Sequence, residues 1–228
     1  MDWLRIDGIP ELHREIAFTG ETLRHAAALR LRPGESVGLL DGRGTVAQCV
    51  VTASAKGSCT VRVMSIRHEM LPADITIAIG VPDNRDRLEF ALEKCTELGA
   101  RRIVLLECQR SQRQSIRLDR LQQKAEAAML QCGRAWTPEL VGPISVQACL
   151  DMFETATVVV GDQHGEQPSA VSGPLLLMVG PEGGFTDDER ARIDVRTPRA
   201  WRIGEHRLRT ETAAVVLTAA ATMASSSE

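Results

Sequence analysis

Two stretches of this chain combine residue types that can hold a ligand through the backbone. The first is Gly180-Pro181-Glu182-Gly183-Gly184-Phe185, with three glycines in its first five positions. Glycine permits positive φ and lets a ligand approach the main chain, while Pro181 fixes one φ and removes a donor. The second runs from Ile203-Gly204 to Glu211. Both carry carboxylates, Glu182 in one and Glu205 and Glu211 in the other. A carboxylate at a helix start offsets the positive end of the helix dipole and disfavours a phosphate there, which points to a neutral or cationic ligand. The competing reading of the first stretch is a tight turn that binds nothing. A different chemistry is offered by residues 101–124, where Arg101, Arg102, Arg110, Arg113, Arg117, Arg120 and Lys124 face only Glu107 and Asp119, an excess of five positive charges. Such an excess is either a footprint for phosphates or a solvated helix face.

Both glycine-bearing stretches need a frame. Residues 175–179 are an apolar run that stops at Gly180, which reads as a buried strand delivering a turn at its carboxyl end, where open α/β sheets bind ligands. Thr186 followed by Glu189 fits a capping box, so a helix should start there. Further strands are expected at 75–80, 103–106 and 157–160, with helices at 87–98, 118–132 and 145–153, then a short strand near 201–203 and an apolar helix over 210–224. Gly99 suits the position after a helix end. Alternation of this kind predicts a mostly parallel sheet covered by helices on both faces. The first 70 residues differ: strands 37–40 and 46–51 flank Asp41-Gly42-Arg43-Gly44, a third spans 60–66, and a helix over 21–29 is closed by Pro33-Gly34. That reads as a small barrel or sandwich, joined through a linker at 68–74. Its nine basic against six acidic side chains over residues 5–67 are a weak sign of RNA binding. The last residues, Ser225 to Glu228, are expected to fray.

The chain has 228 residues, is 43% hydrophobic and 25% charged, and carries a formal charge of −3. These are the values of an ordinary globular protein, and the charge argues against a generic polyanion binder. The amino terminus is charged from Asp2, and no apolar run approaches the ~18 residues of a membrane span, so a cytoplasmic protein is expected. The cysteines never fall as C-x-x-C and none has histidine at metal-ligand spacing, so no metal is expected and the thiols read as small hydrophobes. Neither a P-loop, a dinucleotide fingerprint nor a nucleophile elbow is present.

Glu97-Leu98-Gly99 with Arg110-Ser111, Gln131-Cys132-Gly133-Arg134 with Pro138, Val179 to Phe185, and Leu208-Arg209-Thr210-Glu211-Thr212-Ala213 resemble the successive motifs of the RsmE family of SPOUT-class methyltransferases. The first part is similar to that family's PUA-like barrel through His25, Leu29-Arg30, Pro33-Gly34-Glu35 and Asp41 to Gly44. The resemblance implies an α/β fold with a carboxyl-terminal trefoil-knotted, mostly parallel sheet over 75–228 and a PUA-like RNA-binding β-barrel over 1–70. It also implies S-adenosylmethionine as cofactor, methylation of N3 of a uridine in 16S ribosomal RNA, free or in the assembled small subunit, and a homodimer with active sites at the subunit interface. The implied cofactor-binding residues are Val179, Gly180, Glu182, Gly183, Gly184, Ile203, Gly204, Leu208, Arg209, Thr210, Glu211 and Thr212. Arg110 and Arg209 are the candidates for orienting the base and stabilising charge, with Glu182 or Glu211 as proton acceptor; Glu211 has the alternative role of bracing its helix. Arg24, Arg30, Arg32, Arg43, Arg110, Arg113, Arg117 and Arg134 are the candidates for RNA contact.

The chain departs from the family pattern at His206-Arg207, where an arginine and an aliphatic residue are usual, and at Pro82-Asp83-Asn84-Arg85, where Pro-Lys-Gly is usual. Arg85 or Arg87 would then replace the lysine as a phosphate contact. The alternatives to uridine methylation are a methyltransferase of the same class acting on another position, such as a ribose hydroxyl of transfer RNA, and a non-catalytic RNA-binding protein.

Overall fold

The structure is a computed structural model that describes residues 1–112 and 115–225. It divides into two units, one of residues 1–71 and 126–137, the other of residues 72–125 and 138–228.

The first unit contains β1 (Asp2–Arg5), β2 (Glu15–Ala17), α1 (Gly20–Ala28), β3 (Ser36–Leu40), β4 (Thr45–Ala55) and β5 (Ser58–His68). The strands form one five-stranded sheet in the order β1-β3-β4-β5-β2, antiparallel except for the β1–β3 pair. Asp41 closes the β3–β4 hairpin by accepting from the backbone N–H of Arg43 and of Thr45, at 2.8 and 2.9 Å. Alternate residues of the strands, among them Val37, Leu39, Cys49, Val51, Val61 and Val63, converge with Leu4, Phe18 and Ala26 on a common core. The sequence reading missed β1 and β2. At four and three residues they are too short to show a period. Residues 126–137 return to this unit, where Met129, Ala135 and Trp136 pack with Leu40, Val46 and Trp3.

The second unit carries β6 (Ile75–Gly80), α2 (Arg85–Glu97), β7 (Arg102–Leu106), α3 (Leu118–Cys132, its later residues counted with the first unit), β8 (Glu139–Ile144), α4 (Val146–Met152), β9 (Thr157–Glu166), β10 (Leu175–Val179), α5 (Asp187–Asp194), β11 (Arg199–Trp201) and α6 (Thr210–Ser225). Its sheet runs β11-β9-β10-β6-β7-β8, and every pairing is parallel. β10, late in the chain, is inserted between β9 and β6. Strand periodicity divides β10 between the two faces. Leu175, Leu177 and Val179 join a core with Leu88 and Leu92 of α2 and Leu217 and Ala221 of α6, whereas Leu176 and Met178 join Leu150 of α4 and Ile193 of α5. With helices on both faces no position of β6 or β10 meets water, which explains their unbroken apolar runs.

β8 was not expected. Pro143 cannot donate to a ladder and argues against a strand, but β8 lies at the edge of the sheet, where a missing donor is tolerated. α5 opens as expected: Thr186 accepts from the Glu189 N–H while the Glu189 carboxylate accepts from the Thr186 N–H. The far end of α5 is held by Arg196, whose guanidinium donates to the carbonyls of Leu150, Phe153, Glu154 and Ala156. All six cysteines are free and only Cys132 is exposed. Burial pushes the thiols of Cys95, Cys108 and Cys149 up to about 12, so they act as packing groups.

Candidate active site

A cleft of about 710 Å³ opens along residues 160–164 of β9, at the end of β10 and where the chain leaves β11 for α6. Both glycine-bearing stretches line it. Val160, Val179, Ile203, Leu208 and Ala213 give it apolar walls, and Phe185 adds an aromatic one.

The turn after β10 is packed from behind. A Cβ on Gly80, at the end of β6, would lie 2.4 Å from the Pro181 nitrogen, so the close approach of the two strand ends requires glycine at that position. Gly184 has φ +71, a left-handed conformation, and its N–H closes the turn onto the Pro181 carbonyl at 2.8 Å. Other carbonyls of the turn are also taken by protein donors. Thr210 Oγ1 donates to Gly180 at 3.1 Å, Arg207 Nη2 to Glu182 at 2.6 Å, and Arg110 Nη1 to both Gly183 and Phe185 at 3.0 and 3.2 Å. The N–H groups of Glu182, Gly183 and Phe185 have no protein acceptor among the described residues. The turn therefore offers donors to a ligand, while the carbonyls of Gly180, Pro181, Glu182, Gly183 and Phe185 are held by protein donors.

The carboxylates are less free than the sequence suggested. Glu182 lines the cleft and is met by Arg87 Nη1 at 3.3 Å. The same guanidinium reaches Glu211 through Nε at 3.7 Å. Glu211 is buried in the first turn of α6, does not line the cleft, and leaves Oε2 without a partner. Asp162 is met by Arg190 at 3.6 Å. Glu205 is exposed and outside the lining. The acidic character read from the two loops is thus offset by Arg207 and Arg209, within the second loop itself, and by Arg87 and Arg190, which line the cleft from other parts of the chain. A window of sequence cannot count them.

Of the expected cofactor residues, Val179, Gly180, Glu182, Gly184, Ile203, Gly204, Leu208, Arg209 and Thr210 line the cleft; Gly183, Glu211 and Thr212 do not. Arg209 is exposed there, with no protein partner for its guanidinium among the described residues. Arg110 lies behind the turn and clamps it. The reading missed residues 160–164 within β9, together with Arg87, Asp187 and Arg190. Gly161 following the apolar run 157–160 repeats the grammar of Gly180 following 175–179, and that repetition was the available signal.

The candidate RNA contacts are divided between the two units. Arg113 lies outside the described residues, as do Ser226, Ser227 and Glu228 of the tail expected to fray. Arg117 is paired with Asp119 at 2.7 Å. In the first unit, Arg30 and Arg32 line a hollow of about 500 Å³ with Asp2 and Glu35, and Arg24 is exposed on α1. Arg43, exposed on the hairpin, pairs through its backbone with Trp136, two residues from Arg134. Burial lowers the pKa of the Arg134 guanidinium. In residues 101–124, Arg101 meets Asp74, and Arg102 meets Asp74 and Glu139. Much of the positive excess counted there is cancelled by acids distant in sequence.

The cleft suits a ligand with an apolar body and acceptor groups that meet backbone N–H donors, as a methionine-linked nucleoside has. Among the described residues no cluster of His, Cys, Asp or Glu can hold a metal ion, and no helix is long and apolar enough to cross a membrane.

Comparison with known proteins agrees with this picture. A profile described as an RNA methyltransferase domain matches residues 69–222, and one described as an RNA methyltransferase PUA domain matches residues 18–64. The ribosomal RNA small subunit methyltransferase E of Mycobacterium bovis is 31% identical over 92% of this chain and 87% of its own; that of Bacillus subtilis is 27% identical over 86% and 85%. Among solved structures, ribosomal RNA small subunit methyltransferase E from Neisseria gonorrhoeae, bound to S-adenosyl methionine, superposes with a TM-score of 0.86 at 28% identity, covering 96% of each chain. A probable rRNA-methyltransferase from Porphyromonas gingivalis gives 0.74 at 30% identity, covering 86% of this chain and 87% of that one. The expected fold class, a knotted α/β sheet with an amino-terminal PUA domain, is borne out.

Proposed function

The chain belongs to the ribosomal RNA small subunit methyltransferase E family, and from that premise we propose that it uses S-adenosylmethionine to methylate N3 of a uridine in 16S ribosomal RNA. The observation that carries the reading is the cleft beside β9 and at the carboxyl end of β10, walled by apolar side chains and edged by the unpaired N–H groups of the Gly180–Phe185 turn. Val179, Ile203, Leu208 and Ala213 suit the apolar parts of the cofactor, and the turn's N–H groups suit its polar ends. When bound, the cofactor supplies an electrophilic methyl group on a sulfonium.

The protein's own share is alignment and charge. In-line displacement needs the uracil nitrogen held against the methyl group with water excluded, and the imide nitrogen must lose its proton. Arg209 lines the cleft with its donors uncommitted, and it stabilises the anion developing on the uracil oxygens. Glu182 is the glutamate at the cleft and accepts the imide proton, while Glu211, buried against Arg87, braces the start of α6. Nucleoside analysis of small-subunit ribosomal RNA from a strain lacking the gene is expected to show loss of one 3-methyluridine, restored with the gene. Unchanged 3-methyluridine, or a methyl group missing from a ribose instead, would overturn the assignment of the base.

The same reading makes the protein a cytoplasmic homodimer. α6 supports it: Val216 and Ala219 remain half-buried outside the core to which Ala213, Val215 and Ala220 pack, and Met223 is exposed, so part of an apolar helix is left uncovered within the chain. Light scattering at micromolar concentration is expected to give twice the 24.9 kDa chain mass. A monomer would exclude an interface site.

A further inference from the structure

We propose that α2 and α3 together present a binding site for a backbone phosphate of the RNA, a cradle of Arg85, Arg120 and Lys124 organised around Glu89. The proposal rests on the reading that the chain acts on RNA. Arg85 and Glu89 are one turn apart on α2, as Arg120 and Lys124 are on α3, so each helix sets two of the four groups on one face. The Glu89 side chain is only 10% exposed, and it accepts from Arg85 Nε at 3.0 Å, Arg120 Nε at 3.0 Å and Lys124 Nζ at 3.3 Å. Burial opposes ionisation of Glu89, but its hydrogen bonds and charge contacts with Lys124 and Arg120 outweigh that and hold the carboxyl below its ordinary range.

One cation would satisfy this carboxylate, and three are present. The surplus repels itself unless an anion arrives from outside. Both arginines spend only Nε on Glu89, and their terminal nitrogens have no protein partner among the described residues. The three basic side chains are 49, 47 and 43% exposed. A guanidinium fork left free on a pre-positioned, half-exposed side chain matches two oxygens of a phosphate. Three other arginines of the basic segment lack this surplus: Arg101 and Arg102 share Asp74 and Glu139, and Arg117 has Asp119. The unbalanced charge of α3 is therefore concentrated at Arg120 and Lys124.

The test is an Arg120→Gln, Lys124→Gln double variant, which leaves Arg85 on Glu89 so that the carboxylate keeps a partner. RNA binding is titrated at several salt concentrations with a ribosomal RNA fragment that the wild-type protein methylates, alongside thermal melting and cofactor titration. The expected result is about a tenfold loss of RNA affinity near 0.1 M salt and a shallower salt dependence, by about one to two units of slope, with cofactor affinity unchanged. Wild-type affinity and slope in a folded double variant would show that the cluster is only a brace and overturn the proposal. If the double variant does not fold, Lys124→Gln alone carries the test, with about a threefold loss expected and no loss overturning it. Wild-type protein that binds no RNA would instead overturn the functional reading on which this one rests.

Discussion

A Gly184→Val protein is expected to lose S-adenosylmethionine affinity by more than a hundredfold while remaining folded. Gly184 has φ +71, and a β-branched residue in that region is a true outlier, costing about 1–3 kcal/mol. A Cβ built there meets nothing within 4 Å, so no clash is passed to the core. The strain is relieved by the turn itself moving, and the turn's N–H groups move with it. Two comparisons isolate the cause. Gly184→Asn, which tolerates left-handed backbone, should keep most of the affinity. Gly173→Val imposes similar strain at φ +85, also in open space, on the loop before β10, and should leave cofactor binding intact. Calorimetry that finds wild-type affinity in a folded Gly184→Val protein would take the cofactor away from this turn.

The second large effect is expected at Arg110. Its guanidinium bridges the carbonyls of Gly183 and Phe185, and its side chain lies so close to Gly183 that a Cβ there would be 3.0 Å from the Arg110 Cβ. Hydrogen bonds from a charged donor contribute about 1.5–3 kcal/mol each, so removing the clamp loosens the surface that faces the cofactor. For Arg110→Ala, turnover at saturating RNA and cofactor should fall by about a hundredfold to a thousandfold, with cofactor affinity weaker by about tenfold. Arg110→Lys, which reaches only as a point charge, should recover little of it. Full turnover regained simply by adding RNA would make Arg110 a phosphate contact and end its assignment to the site.

The parallel sheet could be read from the chain because its strands are buried on both faces and therefore written as apolar runs, as in 75–80 and 175–179. The capping box at Thr186 and Glu189 was equally local. What escaped was non-local. β8 contains a proline that only an edge position excuses, and sequence does not say which strand is at the edge. Arg87 and Arg190 reach the cleft from separate segments, and Asp74, Glu89 and Glu139 neutralise a basic run that looks unopposed when counted alone. Residues 126–137 rejoin the first unit after a long excursion, through Met129 and Trp136, whose partners Leu40 and Trp3 lie far back in the chain.

The central place of β10 in its sheet also sets a timetable. Leu177 stands between Ile77 of β6 and Val159 of β9, so neither neighbour has a partner on that side until residue 179 has been made. At synthesis rates of about 5–20 residues per second, β6 waits on the order of ten seconds after its own completion. During that interval β6, and then the Thr157–Val160 part of β9 once it is made, display open strand edges rich in isoleucine and valine, which are templates for pairing with other chains. The arrangement that buries the sheet most completely in the finished protein is the one that leaves it longest exposed on the ribosome.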